Sequence, residues 1–180
     1  MINSGTDTIF QSTGPFVTED FAEGDEGRDY FSKSKILVIG AGGLGCELLK
    51  SLALTGFKNI DVIDMDTIDL SNLNRQFLFR EKDVGKPKSE CAANFIRNRV
   101  PDINITSHFA MIQDMDDDFY KQFNVIIGGL DSVKARNWIS SNLCRIARET
   151  SGDYTIPYID GGTEAWRGHV KTVYPLMTAC

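Results

Sequence analysis

The chain has 180 residues, 42% of them hydrophobic, and 19 basic against 25 acidic side chains give a net charge of −6. That length and apolar content suit one domain with a sizeable core and argue against two. The acidic balance, without a basic stripe, argues against nucleic acid as a partner, and no apolar run approaches the roughly 18 residues of a membrane span.

Residues 1–34 are rich in Gly, Ser, Thr, Asp and Glu and weak in periodicity. They read as an N-terminal arm with a turn at Gly14-Pro15-Phe16 and a short helix near Tyr30. The polar start lacks the charged-then-apolar pattern of a secretory leader, so none is expected, and Cys46, Cys91, Cys144 and Cys180 are scattered without a pairing pattern. The expected compartment is reducing: cytoplasm, nucleus or both.

The folded part is expected over 35–180. Ile36 to Ile39 reads as a buried strand, Gly40-Ala41-Gly42-Gly43-Leu44-Gly45 follows at once, and Leu44, Leu48, Leu49, Leu52 and Ala53 then fall at helical spacing. Ile60 to Ile63 is a second strand, and it ends on Asp64. Strand, glycine turn, helix, strand and acid form the context that a G-x-G-x-x-G fingerprint requires. Gly40 permits the tight turn, Gly42 and Gly43 keep side chains away from a phosphate, and Gly45 lets the helix pack on the strand. The helix N-terminus then favours an anion, and Asp64 stands where a carboxylate can accept from ribose hydroxyls.

About fifteen residues from Met65 to Phe79 form a loop mixing polar and aromatic groups, a length that is usually functional inside a compact domain. A turn at Val84 to Lys88 leads into a helix over 87–99, with Cys91, Ala92, Phe95 and Ile96 on its apolar face. Ile103 to Phe109 reads as a strand, and Asp114 to Asp118 as an acidic, solvated helix start. Phe123 to Ile127 is a buried strand with Gly128-Gly129-Leu130-Asp131 at its end. Ser132 or Asp131 caps a helix to about Glu149, with Val133, Trp138, Ile139, Leu143 and Ile146 inward. Ile156 to Ile159 is a further core strand, Asp160 to Gly168 a glycine-rich loop, and His169 to Tyr174 an antiparallel strand at the sheet edge. Strands alternating with helices predict an α/β, Rossmann-like, mostly parallel sheet with helices on both faces.

In such sheets ligands bind beyond the carboxyl ends of the strands. There the chain places Asp64, Asp66, Asn72, Asn74 and Arg75, with Lys88 just beyond and Asp131 as a candidate Mg²⁺ ligand. One carboxylate plus substrate phosphates is the usual Mg²⁺ arrangement. Two additional cations and a metal carboxylate suit a nucleoside triphosphate better than a nicotinamide dinucleotide. An NAD-dependent oxidoreductase rests on the glycine fingerprint and Asp64 alone. Bland roles compete at several positions: a turn or cap for Asp66, a salt bridge to Asp69 for Arg75, and a helix cap for Asp131. Cys46 at a helix start reads as a small buried residue rather than a nucleophile, and Cys91 and Cys144 as core. Lys86 reads as a solvated charge, His108 and His169 as isolated, and Trp166 as a cover for the sheet or a partner contact.

The runs Gly40 to Gly45, Asp64 to Phe79, Gly85-Lys86-Pro87-Lys88, Gly129-Leu130-Asp131 and Asp160-Gly161-Gly162-Thr163-Glu164 resemble the adenylation domain of ubiquitin-like E1 activating enzymes. Within that family the likeness leans to the catalytic subunits of the heterodimeric Nedd-type rather than to the SUMO type. Thr13-Gly14-Pro15-Phe16, Gly129 to Ser132 and Met177 to Cys180 carry that leaning. The resemblance implies a fold of the ThiF/MoeB/E1 adenylation type. It also implies MgATP-dependent adenylation of the modifier's C-terminal glycine. Asp64 would hold the ribose, Asn72 and Arg75 the phosphates, Lys88 the α-phosphate and Asp131 the Mg²⁺, with Arg75, Lys88 and Asp131 as the catalytic set. A second E1 subunit is implied as partner, and an E2 in the full-length form. Cys180 matches the first cysteine of a Cys-x-x-Cys half-site for Zn²⁺, incomplete here because one thiolate cannot close a tetrahedral site. The chain is therefore expected to be a truncated subunit, without the catalytic-cysteine and ubiquitin-fold domains and without a thioester step. The non-enzymatic alternative is a scaffold for the partner subunit.

Overall fold

The computed structural model describes residues 25–164 and 166–178. The Gly14-Pro15-Phe16 turn, most of the N-terminal arm and Cys180 lie outside the described residues. Helix α1 spans Asp25–Lys33, at the position anticipated around Tyr30. Strand β1 (Lys35–Ile39), helix α2 (Gly43–Thr55) and strand β2 (Asn59–Ile63) follow as the alternating pattern predicts. Then come α3 (Lys88–Arg99), β3 (Asn104–His108), the short α4 (Asp117–Tyr120), β4 (Val125–Gly128) and α5 (Val133–Glu149). Strands β5 (Tyr158–Glu164) and β6 (Arg167–Val173) close the described chain.

The six strands form one sheet in the order β3-β2-β1-β4-β5-β6. The first five are parallel and β6 runs antiparallel to β5. Alternation along β1 divides the core. Ile36 and Val38 face a cluster with Leu49 and Ala53 of α2 and Ala92, Ala93 and Ile96 of α3. Leu37 and Ile39 face the other cluster, with Tyr120 of α4 and Ile139, Leu143 and Ile146 of α5. Both faces of the parallel sheet are thus covered, as parallel strands require. The order reverses between β1 and β4, and this switch point opens a crevice at the strands' carboxyl ends. Backbone bonds draw those ends together: Gly40 N–H donates to Ile63 O at 2.8 Å, Gly129 N–H to Ile39 O at 2.9 Å and Asp64 N–H to His108 O at 3.1 Å.

Four expectations need correction. The Asp160 to Gly168 stretch is mostly strand, with β5 and β6 in register from Tyr158↔Val173 to Glu164↔Arg167. The antiparallel ladder overrides the weak strand propensity of glycine. Val133 is 69% exposed because it begins α5 at the rim of the crevice, not on its inner face. Trp166 is fully exposed and covers no part of the sheet. Neither histidine is isolated: His108 Nε2 lies 2.8 Å from buried Asp61 Oδ2, and His169 Nε2 lies 3.6 Å from Asp160 Oδ2. The acidic start of α4 is partly engaged as well. Asp116 caps it by accepting from Phe119 N–H at 2.8 Å, and hydrogen bonds from Arg145 hold the Asp117 carboxyl below the usual carboxylate range.

Candidate active site

The crevice encloses about 1170 Å³, and its lining includes Gly40, Gly42, Gly43, Asp64, Asp66, Arg75, Lys88 and Asp131. Residues from five separate sequence segments therefore line one crevice.

The glycine turn explains itself sterically. Gly40 has φ +93°, and a Cβ there would stand 2.9 Å from Gly129 O. Gly45 does not line the crevice; a Cβ on it would lie 2.0 Å from Gly40 O, so only glycine lets α2 sit this close to the turn. A Cβ on Gly42 would meet nothing within 4 Å, leaving open space over the first turn of α2. That turn carries no acidic side chain of its own, so the helix's positive end favours an anion at the crevice.

Asp64 is anchored to the turn. Its Oδ2 accepts from Ala41 N–H at 2.6 Å and its Oδ1 from Asp66 N–H at 2.7 Å. A carboxylate offers about four lone-pair sites, so acceptor capacity remains. Burial raises the Asp64 pKa, and the two N–H donors and Lys88 oppose that rise. The ionised form is thus costly in the fold. That cost is fully present above the folded pKa and is relieved as pH falls through it.

Lys88 is buried, and its Nζ lies 2.8 Å from Asp66 Oδ2, a carboxylate that is 55% exposed. Its backbone N–H also donates to Asp66 O at 2.9 Å. Of three ammonium donors, one is engaged by Asp66. Lys86, by contrast, is exposed and pairs with Asp83 at 3.2 Å. Arg75 is exposed and, among the described residues, has no carboxylate partner. Its Nη1 donates to Ser71 O and to Asn74 Oδ1, both at 3.2 Å, so the alternative salt bridge to Asp69 is not made. The Arg75 Cγ lies 3.9 Å from where a Gly43 Cβ would be, which sets this side chain against the glycine turn. Asp131 is exposed and carries no hydrogen bond or ion pair among the described residues; Ser132, not Asp131, accepts from Ala135 N–H and caps α5. One unengaged carboxylate fits a cation held mainly by phosphates.

Asn72 is not brought to the crevice. It is buried at 8% exposure, and its Oδ1 accepts from Asp69 N–H at 3.0 Å, which closes the turn at Leu70–Asn72. Two other polar residues on the wall escaped sequence reasoning. Gln76 is 3% exposed, and its buried Oε1 has no hydrogen-bond partner among the described residues. Arg136 donates to Asp160 Oδ2 at 2.7 Å and to Gly161 O at 3.0 Å. Charge type alone marked neither one, since a Gln beside Arg75 and an Arg inside a helix are unremarkable in a single sequence.

Cys46 is not poised as a thiolate. It is buried, its Sγ donates to Ala41 O at 3.7 Å, and burial pushes the thiol pKa up to about 11. Burial outweighs the helix N-terminus. Cys91 is only half-buried whereas Cys46 and Cys144 are buried. A thiol reagent at pH 8 is therefore expected to label Cys91 well before Cys46 and Cys144, as read by peptide mass mapping. Equal labelling of all three in the folded chain would contradict this packing.

Beside the crevice lies a smaller cavity of about 440 Å³, lined by Leu44, Leu48, Ile127, Ile159 and Val170 with glycine backbone between them.

The ThiF family model matches residues 18–180. The Nedd8-activating enzyme E1 catalytic subunit of Drosophila melanogaster is 51% identical over 183 residues, covering 98% of this chain and 41% of the relative. The corresponding Caenorhabditis elegans subunit is 54% identical over 165 residues, covering 89% and 38%. A crystal structure of E. coli MccB with AMPCPP and MccA superposes with a TM-score of 0.72 at 25% identity, covering 85% of this chain and 44% of that one. The chain thus spans about 40% of the length of the curated relatives it matches.

Proposed function

The chain belongs to the ThiF family, and from that premise we propose that it is the adenylating part of an E1 enzyme for a ubiquitin-like modifier of the Nedd8 class. The modifier's C-terminal glycine carboxylate attacks the α-phosphorus of ATP. A new C–O–P bond forms, the bond to the β-phosphate oxygen breaks, and pyrophosphate leaves with that electron pair. The product is an acyl-adenylate.

The observation that carries this reading is the company kept in one crevice: the glycine turn, Asp64, Arg75, Lys88 and Asp131. Asp64 accepts from the ribose hydroxyls with the lone pairs left over from Ala41 and Asp66. The open space over Gly42 and the N-terminus of α2 receive phosphate. Arg75, unpaired with any described carboxylate, neutralises phosphate charge from beside the turn. Lys88 keeps unused donors for the α-phosphate as charge develops there. Asp131 holds Mg²⁺, which when bound neutralises and orients the phosphates. Catalysis is then positioning and electrostatic stabilisation, with no covalent protein nucleophile in this step. The likeness to Nedd8-activating E1 catalytic subunits and to MccB, which is seen with AMPCPP and MccA, supports the same assignment. Pairing with a second E1 subunit, hand-over to an E2 and a Zn²⁺ site begun by Cys180 belong to the full-length form of this proposal.

The test is modifier-dependent exchange of pyrophosphate into ATP, measured with the partner subunit present. Exchange is expected, and Asp131→Ala is expected to lower it by about two orders of magnitude. Absence of exchange in the parent protein would favour a scaffold role. Thermal stabilisation by NAD but not by MgATP would replace the proposal with a dinucleotide-binding function.

A further inference from the structure

Arg136 lies one turn inside α5, and its side chain is 17% exposed. It is bonded on several sides. Nη1 donates to Asp160 Oδ2 at 2.7 Å and to His169 Nε2 at 2.9 Å. Nη2 donates to Gly161 O at 3.0 Å and to the carbonyl of Leu130. The second Asp160 oxygen, Oδ1, accepts from Tyr158 Oη at 3.0 Å. Space is kept for this cluster: a Cβ on Gly162 would stand 2.7 Å from Arg136 Nη2 and 2.3 Å from His169 Cε1. One side chain of α5 therefore ties the loop after β4 to the middle of β5 and to β6.

The bond to Leu130 O matters because Leu130 immediately precedes Asp131. The loop is fixed on its β4 side by Gly129 N–H to Ile39 O. On its α5 side it has the Ser132 cap, a long contact of 3.5 Å to Ala135 N–H. Asp131 itself adds nothing, since its carboxylate has no partner among the described residues. We propose that Arg136 is the positioning residue for Asp131, clamping the Leu130 carbonyl to Asp160 and Gly161 of β5 so that the carboxylate is presented in one place to the cation. This rests on the reading above, in which Asp131 holds Mg²⁺. Partners that orient a metal ligand from behind are typically worth roughly 10–100-fold in metal affinity or activity. A lysine keeps the charge but not the planar fork that reaches Leu130 O, Gly161 O and Asp160 together.

The experiment is calorimetric binding to the full chain of ATP with Mg²⁺ and of ATP with EDTA, for the parent, Arg136→Lys and Asp131→Ala. Arg136→Lys is expected to weaken MgATP about tenfold and to leave metal-free ATP unchanged. In the double variant the two losses are expected not to add, because they act through one carboxylate. Gly162→Ala, which displaces the guanidinium without removing its charge, is expected to reproduce the Mg²⁺-dependent loss and keeps the test available if Arg136→Lys folds poorly. Equal weakening with and without Mg²⁺, or fully additive losses, would overturn the proposal and leave Arg136 a general brace. Failure of the parent protein to bind ATP at all would instead sink the functional reading itself, and this inference with it.

Discussion

Gly45→Ala is expected to lower the melting temperature by about 10 °C and to abolish nucleotide binding. The new Cβ would sit 2.0 Å from Gly40 O and 2.8 Å from Gly40 C, far inside van der Waals contact. Both clashing atoms are backbone, so no side chain can swing aside, and α2 must move away from the turn. That helix is held on its inner face by Cys46 and Leu49 at 0% exposure and Ala53 at 3%. Overpacking of this kind costs about 3 kcal/mol, and in a domain of this size each kcal/mol shifts the melting temperature by roughly 2–4 °C. Gly42→Ala is the control. Its φ is −75° and the Cβ would meet nothing, so stability is expected to hold while a methyl group intrudes on the phosphate space. Thermal unfolding of the two variants by circular dichroism separates them. A Gly45→Ala protein that melts with the parent would mean that α2 is not tied to the turn as described.

The same turn shows which parts of the molecule are legible in a sequence. Ile36 to Asp64 declares itself because local signals agree: a β-branched run, glycines at fixed offsets, a helical period and a second strand ending in acid. The crevice around it was legible for the same reason, since strand ends carrying Asp64 and Asp131 must meet at the switch point of a parallel sheet. Where the sequence reading failed, the deciding partner was one that no local spacing rule names. Asn72 looks like a ligand among its neighbours Ser71 and Asn74, yet it is buried and its Oδ1 accepts from Asp69 N–H. The glycines at 161 and 162 suggest a loop until β6 supplies a ladder. Arg136 reads as one more helical charge, and only the fold brings Asp160 and His169, 24 and 33 residues away, onto its guanidinium. Asp66 is intermediate. Its spacing from Asp64 is visible in the sequence, but its bond to Lys88 across 22 residues is not.

That last bond sharpens the second large effect. Lys88→Ala is expected to reduce modifier-dependent pyrophosphate exchange by about 10²- to 10³-fold, the usual loss when one preorganised donor to a developing charge is removed. ATP affinity is expected to fall far less, because the contact strengthens as the α-phosphate acquires negative charge, which is the condition for raising kcat rather than lowering KM. Stability is expected to change little through the ion pair itself, since the partner carboxylate is 55% exposed and returns to water once the ammonium is gone. Asp66→Asn tests the positioning half of the argument. It keeps the backbone contact from Lys88 N–H to Asp66 O but removes the anion that aims Nζ. It is therefore expected to lose exchange by about tenfold, the lower end of what an orienting partner contributes. If Asp66 contacted nucleotide directly, its variant would lose ATP affinity instead, with exchange at saturating ATP preserved. The comparison is made on the full chain with its partner subunit, pairing equilibrium ATP binding with exchange rates. An unchanged rate in Lys88→Ala would remove Lys88 from the chemistry and leave the Lys88–Asp66 pair as a brace for the loop that carries Arg75.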